Sequence, residues 1–216
     1  MKRTALKHTA SFVGAPVLTR SERASDRLLV WVWSPGNETG GAGLIDAYVS
    51  EGWNVLEAGC GTASGSAHAA ADIVEAVRQC GSASPADWGP TIFIADQDTA
   101  ASVCKAVLLA CREGLKAARC GLVTVDAFAD DAVRPILEQL AALDGLAAIW
   151  AVHRERREIR QQALAHHASL QARGRETHFL VLPDTARSPV QRLADPRDPL
   201  GCETRWLLDP VHSRSV

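Results

Sequence analysis

The residues of this chain that could do chemistry stand one to three places after short apolar runs. Asp96 and Asp98 follow Thr91–Ala95, Asp126 follows Leu122–Val125, and Gly59-Cys60-Gly61 follows Trp53–Ala58. A carboxylate at such a place can cap the helix that comes next or bind the hydroxyls of a ligand. It can also attack an electrophile to form a covalent ester, whose hydrolysis then needs a base such as histidine. Asp98 precedes a helical stretch that begins near Thr99, so capping that helix is its simplest role. Gly59 and Gly61 let a backbone approach a ligand, and a glycine-rich turn also serves wherever a strand gives way to a helix. His166 and His167 sit mid-helix among Ala and Leu and read as packing residues, while Arg154, Arg156, Arg157 and Arg160 with Glu155 and Glu158 read as a solvated helix face. Six cysteines, Cys60, Cys80, Cys104, Cys111, Cys120 and Cys202, form no C-x-x-C pair, which argues against a zinc site or a redox motif. Cys104 and Cys111 fall on one helix face and read as small buried hydrophobes.

The elements that must position these residues alternate. Apolar runs at Leu28–Trp33, Trp53–Ala58, Thr91–Ala95, Leu122–Val125, Leu146–Val152 and His178–Leu182 have strand length and are rich in Val, Ile and Leu. Helical spacing fills Leu44 to Ser50, Ala67 to Gln79, Thr99 to Ala117, Asp131 to Leu143 and Glu155 to Arg173. The pattern predicts an α/β protein with a mostly parallel sheet and helices on both faces, since parallel neighbours need crossovers. In such sheets ligands bind beyond the carboxyl ends of the strands, where the acidic residues above stand. Residues 1–26 lack a sustained period and read as an N-terminal arm, and residues 27–216 as a single domain. After Asp184, four prolines suggest a loop with one short helix near Leu193 or over Arg205–Leu208.

Composition narrows the function classes. With 216 residues, 47% hydrophobic, the chain can bury a core without a metal or disulfide staple, and nothing in it demands a cofactor. A net charge of −2 with scattered Lys and Arg lacks the footprint of a nucleic-acid binder. No apolar run is long enough to span a membrane and no signal-peptide pattern opens the chain, so the expected location is cytoplasmic.

Several strings resemble the α/β-hydrolase family of esterases and formamidases. Leu28–Trp33 followed by Gly36, Gly40 and Gly41 is similar to its strand and glycine-rich oxyanion loop. Thr91–Ile94 followed by Ala95-Asp96-Gln97-Asp98-Thr99-Ala100-Ala101 is similar to its nucleophile elbow. His178–Leu182 with Pro183 and Asp184 resembles the last strand, and Leu193–Leu200 resembles the segment after the catalytic histidine. The resemblance implies a three-layer sandwich with Asp98 at the nucleophile position. It places the triad acid at Arg156 or its neighbours His153, Arg154 and Glu155, and the histidine on Ala186, Arg187 or Ser188, with His212 the other candidate. The expectation is therefore a protein lacking the Ser/His/acid triad, with a non-catalytic binding or assembly role or, if active, a strongly altered hydrolase using Asp98. The family's habit of pairing through its last strand and helix implies a homodimer or a complex with a catalytic relative.

Val55-Leu56-Glu57-Ala58-Gly59-Cys60-Gly61-Thr62 also resembles the first motif of class I methyltransferases. That alternative implies S-adenosylmethionine held by Glu57, Gly59, Gly61, Asp96 and Asp126. Its intervals differ, with 39 residues from Glu57 to Asp96. Strand order separates the two resemblances: a hydrolase places Leu28–Trp33 inside the sheet beside Thr91–Ala95, whereas a methyltransferase centres the sheet on Val55–Ala58 and closes it with an antiparallel strand.

Overall fold

A computed structural model describes residues 1–23, 25–35, 41–61, 66–80, 89–116, 119–129, 133–183 and 187–208. Its strands are β1 (Lys2–Ala5), β2 (Val17–Arg20), β3 (Leu28–Trp33), β4 (Asn54–Gly59), β5 (Thr91–Ala95), β6 (Cys120–Val125), β7 (Ala147–His153) and β8 (Thr177–Leu182). Its helices are α1 (Gly41–Ser50), α2 (Ser66–Gln79), α3 (Ala100–Arg112), α4 (Arg134–Leu140), α5 (Arg157–Gln171), α6 (Pro189–Ala194) and α7 (Pro199–Trp206). The strands make one sheet in the order β1-β2-β4-β3-β5-β6-β7-β8. From β4 to β8 every pairing is parallel, and β1 and β2 join β4 antiparallel. β3 thus lies inside the sheet against β5, which is the hydrolase arrangement.

The apolar runs are continuous because both faces of the sheet are covered. Val30, Leu56, Phe93, Leu122 and Trp150 point to one face, where α2, α3, α4 and α5 bring Ile73, Val107, Leu137 and Ala163. Their strand neighbours Leu29, Val55, Ile92, Val123 and Ile149 point to the other, against Leu44, Tyr48, Leu193, Leu200 and Leu207 of α1, α6, α7 and the turn after α7. The result is a three-layer α/β sandwich.

Three segments depart from the sequence expectation. Within residues 1–26, β1 and β2 are built into the sheet, with Leu18 and Phe12 buried in the core. α3 stops at Arg112, short of Ala117, because Gly114 turns the chain at φ +110°. The proline-rich tail holds two helices, α6 and α7, each with proline in its first turn.

Candidate functional site

At the carboxyl ends of β3, β5, β6 and β7 the structure encloses a cavity of about 220 Å³. Trp31 and Trp33 of β3, the segment Asp96 to Asp98 after β5, Asp126 after β6 and His153 at the end of β7 form its walls, and Ser188 to Val190 and Leu193 of the α6 region close it. Among the described residues, none that lines it is Lys or Arg.

Two carboxylates and a hydroxyl organise the β5 side. The buried Ser34 hydroxyl lies 3.2 Å from Asp98 Oδ2 and 3.4 Å from Asp96 Oδ2, so its single proton is shared between them. Asp96 Oδ1 accepts the Thr99 backbone N–H at 3.0 Å and the Thr99 hydroxyl at 2.8 Å, while Asp96 N–H donates to Thr99 Oγ1 at 3.1 Å. The cap expected of Asp98 is therefore supplied by Asp96. Thr99 stands at the N-cap position of α3 without a side-chain cap of its own, and Asp98 is exposed at the cavity mouth. The reason is reach: a carboxylate three residues upstream closes a turn onto the Thr99 N–H, whereas Asp98 turns toward Ser34.

On the opposite wall, the buried Asp126 binds His153 twice. Its Oδ1 accepts the His153 backbone N–H at 3.0 Å and its Oδ2 lies 2.7 Å from His153 Nδ1. Asp126 is the only non-glycine among the described residues with positive φ, at +53°. That conformation is uncommon outside glycine, and Asp is among the residues that tolerate it. The turn is fixed by its own N–H, which donates to Ala151 O at 2.9 Å. With Nδ1 held by the carboxylate, Nε2 is the nitrogen through which His153 can act on a ligand.

The sequence marks Asp126 as a strand-end carboxylate and through the methyltransferase motif, and His153 as a neighbour of the triad acid position, but it does not pair the two. Register offers the missing signal. Val125 pairs with Ala151, so residues just beyond each must meet across adjacent parallel strands. Ser34 stands directly after its strand, where the sequence places ligand chemistry, but Trp31 and Trp33 are not marked as site residues, although alternation along Trp31-Val32-Trp33 puts both indoles on one face. The indoles lie 6.4 Å apart, and each sits on a glycine: a Cβ on Gly41 would fall 2.3 Å from Trp31 Cζ3, and one on Gly59 2.6 Å from Trp33 Cη2.

The remaining candidates scatter. Gly59 is needed by Trp33, and Gly61 donates to Ser11 O at 3.0 Å. Glu57 faces Arg3 at 3.3 Å, with burial pushing its carboxyl above the usual range. Of the five residues assigned to S-adenosylmethionine, only Asp96 and Asp126 line the cavity. At the expected histidine position Ser188 caps α6, accepting from the Gln191 N–H, and Arg187 pairs with Asp195 at 2.9 Å. Arg156 precedes α5 and lines no part of the cavity. Gly36, Gly40, Asp184, Ala186 and His212 lie outside the described residues. His166 packs its ring against Phe128 and Trp150, and burial pushes its pKa down to about 4.

No protein-family profile matches the chain, and no curated protein is similar to it in sequence. Solved structures do match in shape. The dienelactone hydrolase of Anabaena variabilis superposes with a TM-score of 0.61 at 9% identity, over 95% of this chain and 96% of that one. Est1E of Butyrivibrio proteoclasticus gives 0.59 at 10% identity, over 92% and 93%. The esterase domain of a Rhodothermus marinus protein gives 0.59 at 12% identity, over 94% and 98%. Likeness at this identity speaks for architecture, and together with the strand order and the cavity at the strand ends it establishes that the chain has the α/β-hydrolase fold.

Proposed function

We propose that this α/β-hydrolase-fold protein lacks a working Ser/His/acid triad and uses its pocket to bind a ligand without hydrolysing esters. The observation that carries this reading is the hydrogen bond from the Thr99 backbone N–H to the Asp96 carboxylate, at 3.0 Å. In acyl transfer on this fold, the N–H of the residue after the nucleophile steadies the oxyanion. Here that N–H already serves an anion, so a tetrahedral intermediate on Asp98 or on any nucleophile beside it would meet a negative charge where it needs a donor. Loss of one such donor typically costs about 10²–10³ in rate. The reading needs no resident cofactor. The purified protein is expected to show no turnover of short-chain aryl esters above background and no labelling by a serine-directed fluorophosphonate. Labelling would overturn the reading, whereas calorimetric binding of S-adenosylmethionine that Asp96→Ala abolishes would name the ligand and revive the methyltransferase alternative.

One observation favours a second reading. The His153–Asp126 pair faces the same cavity as Asp98, so a carboxylate nucleophile, a base and its orienting acid share one pocket. On that reading Asp98 attacks a haloalkane, epoxide or ester, and His153 draws a proton from the water that releases the product. His153→Gln would then accumulate a covalent adduct on Asp98, visible as a mass increase in the intact protein. Absence of any adduct with all three substrate classes removes this second reading and leaves the first.

A further inference from the structure

The pocket has a chemical character that the absence of ester hydrolysis does not by itself require. Its β3 wall is two indoles, held in place by glycines at positions where any Cβ would collide with the rings. Its polar groups are predominantly acidic. Asp96, Asp98 and Asp126 line it, and among the described residues His153 is the one lining side chain able to carry a positive charge, with its Nδ1 already held by the Asp126 carboxylate. Among the described residues no Lys or Arg forms an ion pair with Asp98 or Asp126. Asp98 stands at the mouth with one oxygen toward the Ser34 hydroxyl. An anionic ligand entering here would lose its hydration to face carboxylates, and a neutral apolar ligand would leave Asp98 without a countercharge.

Building on the binding role argued above, we propose that the pocket takes a small organic cation, a protonated or quaternary amine, with its apolar surface against Trp31 and Trp33 and its charge facing Asp98. Indole faces carry negative quadrupole density and attract such cations within about 6 Å of the ring, and the carboxylate fixes the orientation. The cavity of about 220 Å³ suits a group of a few carbon atoms around one nitrogen.

The test compares three probes of nearly equal shape on the full chain: choline, the neutral 3,3-dimethylbutan-1-ol, and the anionic 3,3-dimethylbutyrate. Binding is followed through the indole N–H resonances. Choline is expected to bind about tenfold more tightly than the alcohol, with the carboxylate weakest. Asp98→Asn should remove most of choline's advantage and leave the alcohol unchanged, and Trp33→Leu should weaken both, with thermal melts confirming that each variant folds. Equal binding of choline and the alcohol would overturn the cation while leaving a binding pocket. Preference for the carboxylate, or no binding by any of the three, would overturn the proposal outright. Ester turnover by the parent protein would instead overturn the binding role on which it rests, a result that none of the three probe titrations can mimic.

Discussion

Asp96 and Asp98 are two residues apart and do different work, and their difference is measurable as stability. Asp96 carries the bonds that start α3, so Asp96→Ala should cost about 0.5–2 kcal/mol, the usual worth of a helix cap, whereas Asp98→Ala should change stability by less than about 0.5 kcal/mol because Asp98 is exposed. Urea denaturation of the two variants checks this, and a larger loss at Asp98 would restore it as the cap. Asp126 should be more sensitive than either. Replacing it by Ala puts a Cβ-bearing residue at φ +53° without a carboxylate that bonds locally, and deletes two hydrogen bonds to His153. A loss of about 3–4 kcal/mol follows from roughly 1–2 kcal/mol for the left-handed backbone and about 1 kcal/mol for each bond. Asp126→Asn tolerates the same backbone and still accepts from the His153 N–H, so it should lose clearly less in the same assay. The chemistry-bearing residues after β5 and β6 were legible in the sequence because carboxylates at strand ends stand out. The indoles were not, because Trp31 and Trp33 read as strand core, and only the glycines opposite reveal that a site is being shaped.

At the scale of elements, one prediction concerns α5. His166 lies between Phe128 and Trp150, with ring centroids 5.5 and 5.0 Å away, and burial, aided by the nearby charges of Arg173 and His167, lowers its pKa from 6.5 to about 4. The folded state therefore disfavours the proton that the unfolded chain accepts. The contribution of neutral His166 is fully present above about pH 6.5 and is lost as the pH falls from there toward about 4. Glu57 and Glu176 are pushed the other way by burial, so the parent's total slope mixes opposing effects and the informative quantity is a difference. His166→Gln should flatten the fall in melting temperature across that window relative to the parent, and an unchanged slope would show that His166 titrates freely. Elements buried on both faces were the easiest to read: β3 and β5 end where the apolar runs Leu28–Trp33 and Thr91–Ala95 end. β1 was not legible, because all four of its residues are exposed and no alternation marks it. In the tail, the four prolines suggest a loop with one short helix, yet the described residues hold two, because Pro189 and Pro199 occupy first helical positions behind the caps Ser188 and Asp198, where the missing N–H costs nothing.

The whole sheet ends in two unlike edges. β1 carries Lys2 and Arg3 and is exposed along its length, a charged and short edge of the kind that resists pairing with another chain. β8 at the other end is six residues long and presents Phe179, Leu180 and Val181, with Val181 45% exposed. A strand edge with unpaired N–H and C=O groups and apolar side chains can add a strand, and a second copy of the same edge meets that need with twofold symmetry. The small net charge of −2 opposes such pairing only weakly. We therefore expect the homodimer suggested by the sequence to form through β8. Sedimentation equilibrium should report twice the 23.1 kDa mass at micromolar concentration, and Val181→Lys should return the protein to a monomer with an unchanged melting profile at low concentration. The site faces the carboxyl ends of β3 and β5 to β7, away from the pairing direction of β8, so the monomeric variant should bind the same probes with the same affinity. A parent that sediments as a monomer at high concentration would rule out the β8 homodimer, while a dimer that survives Val181→Lys would move the interface to another surface.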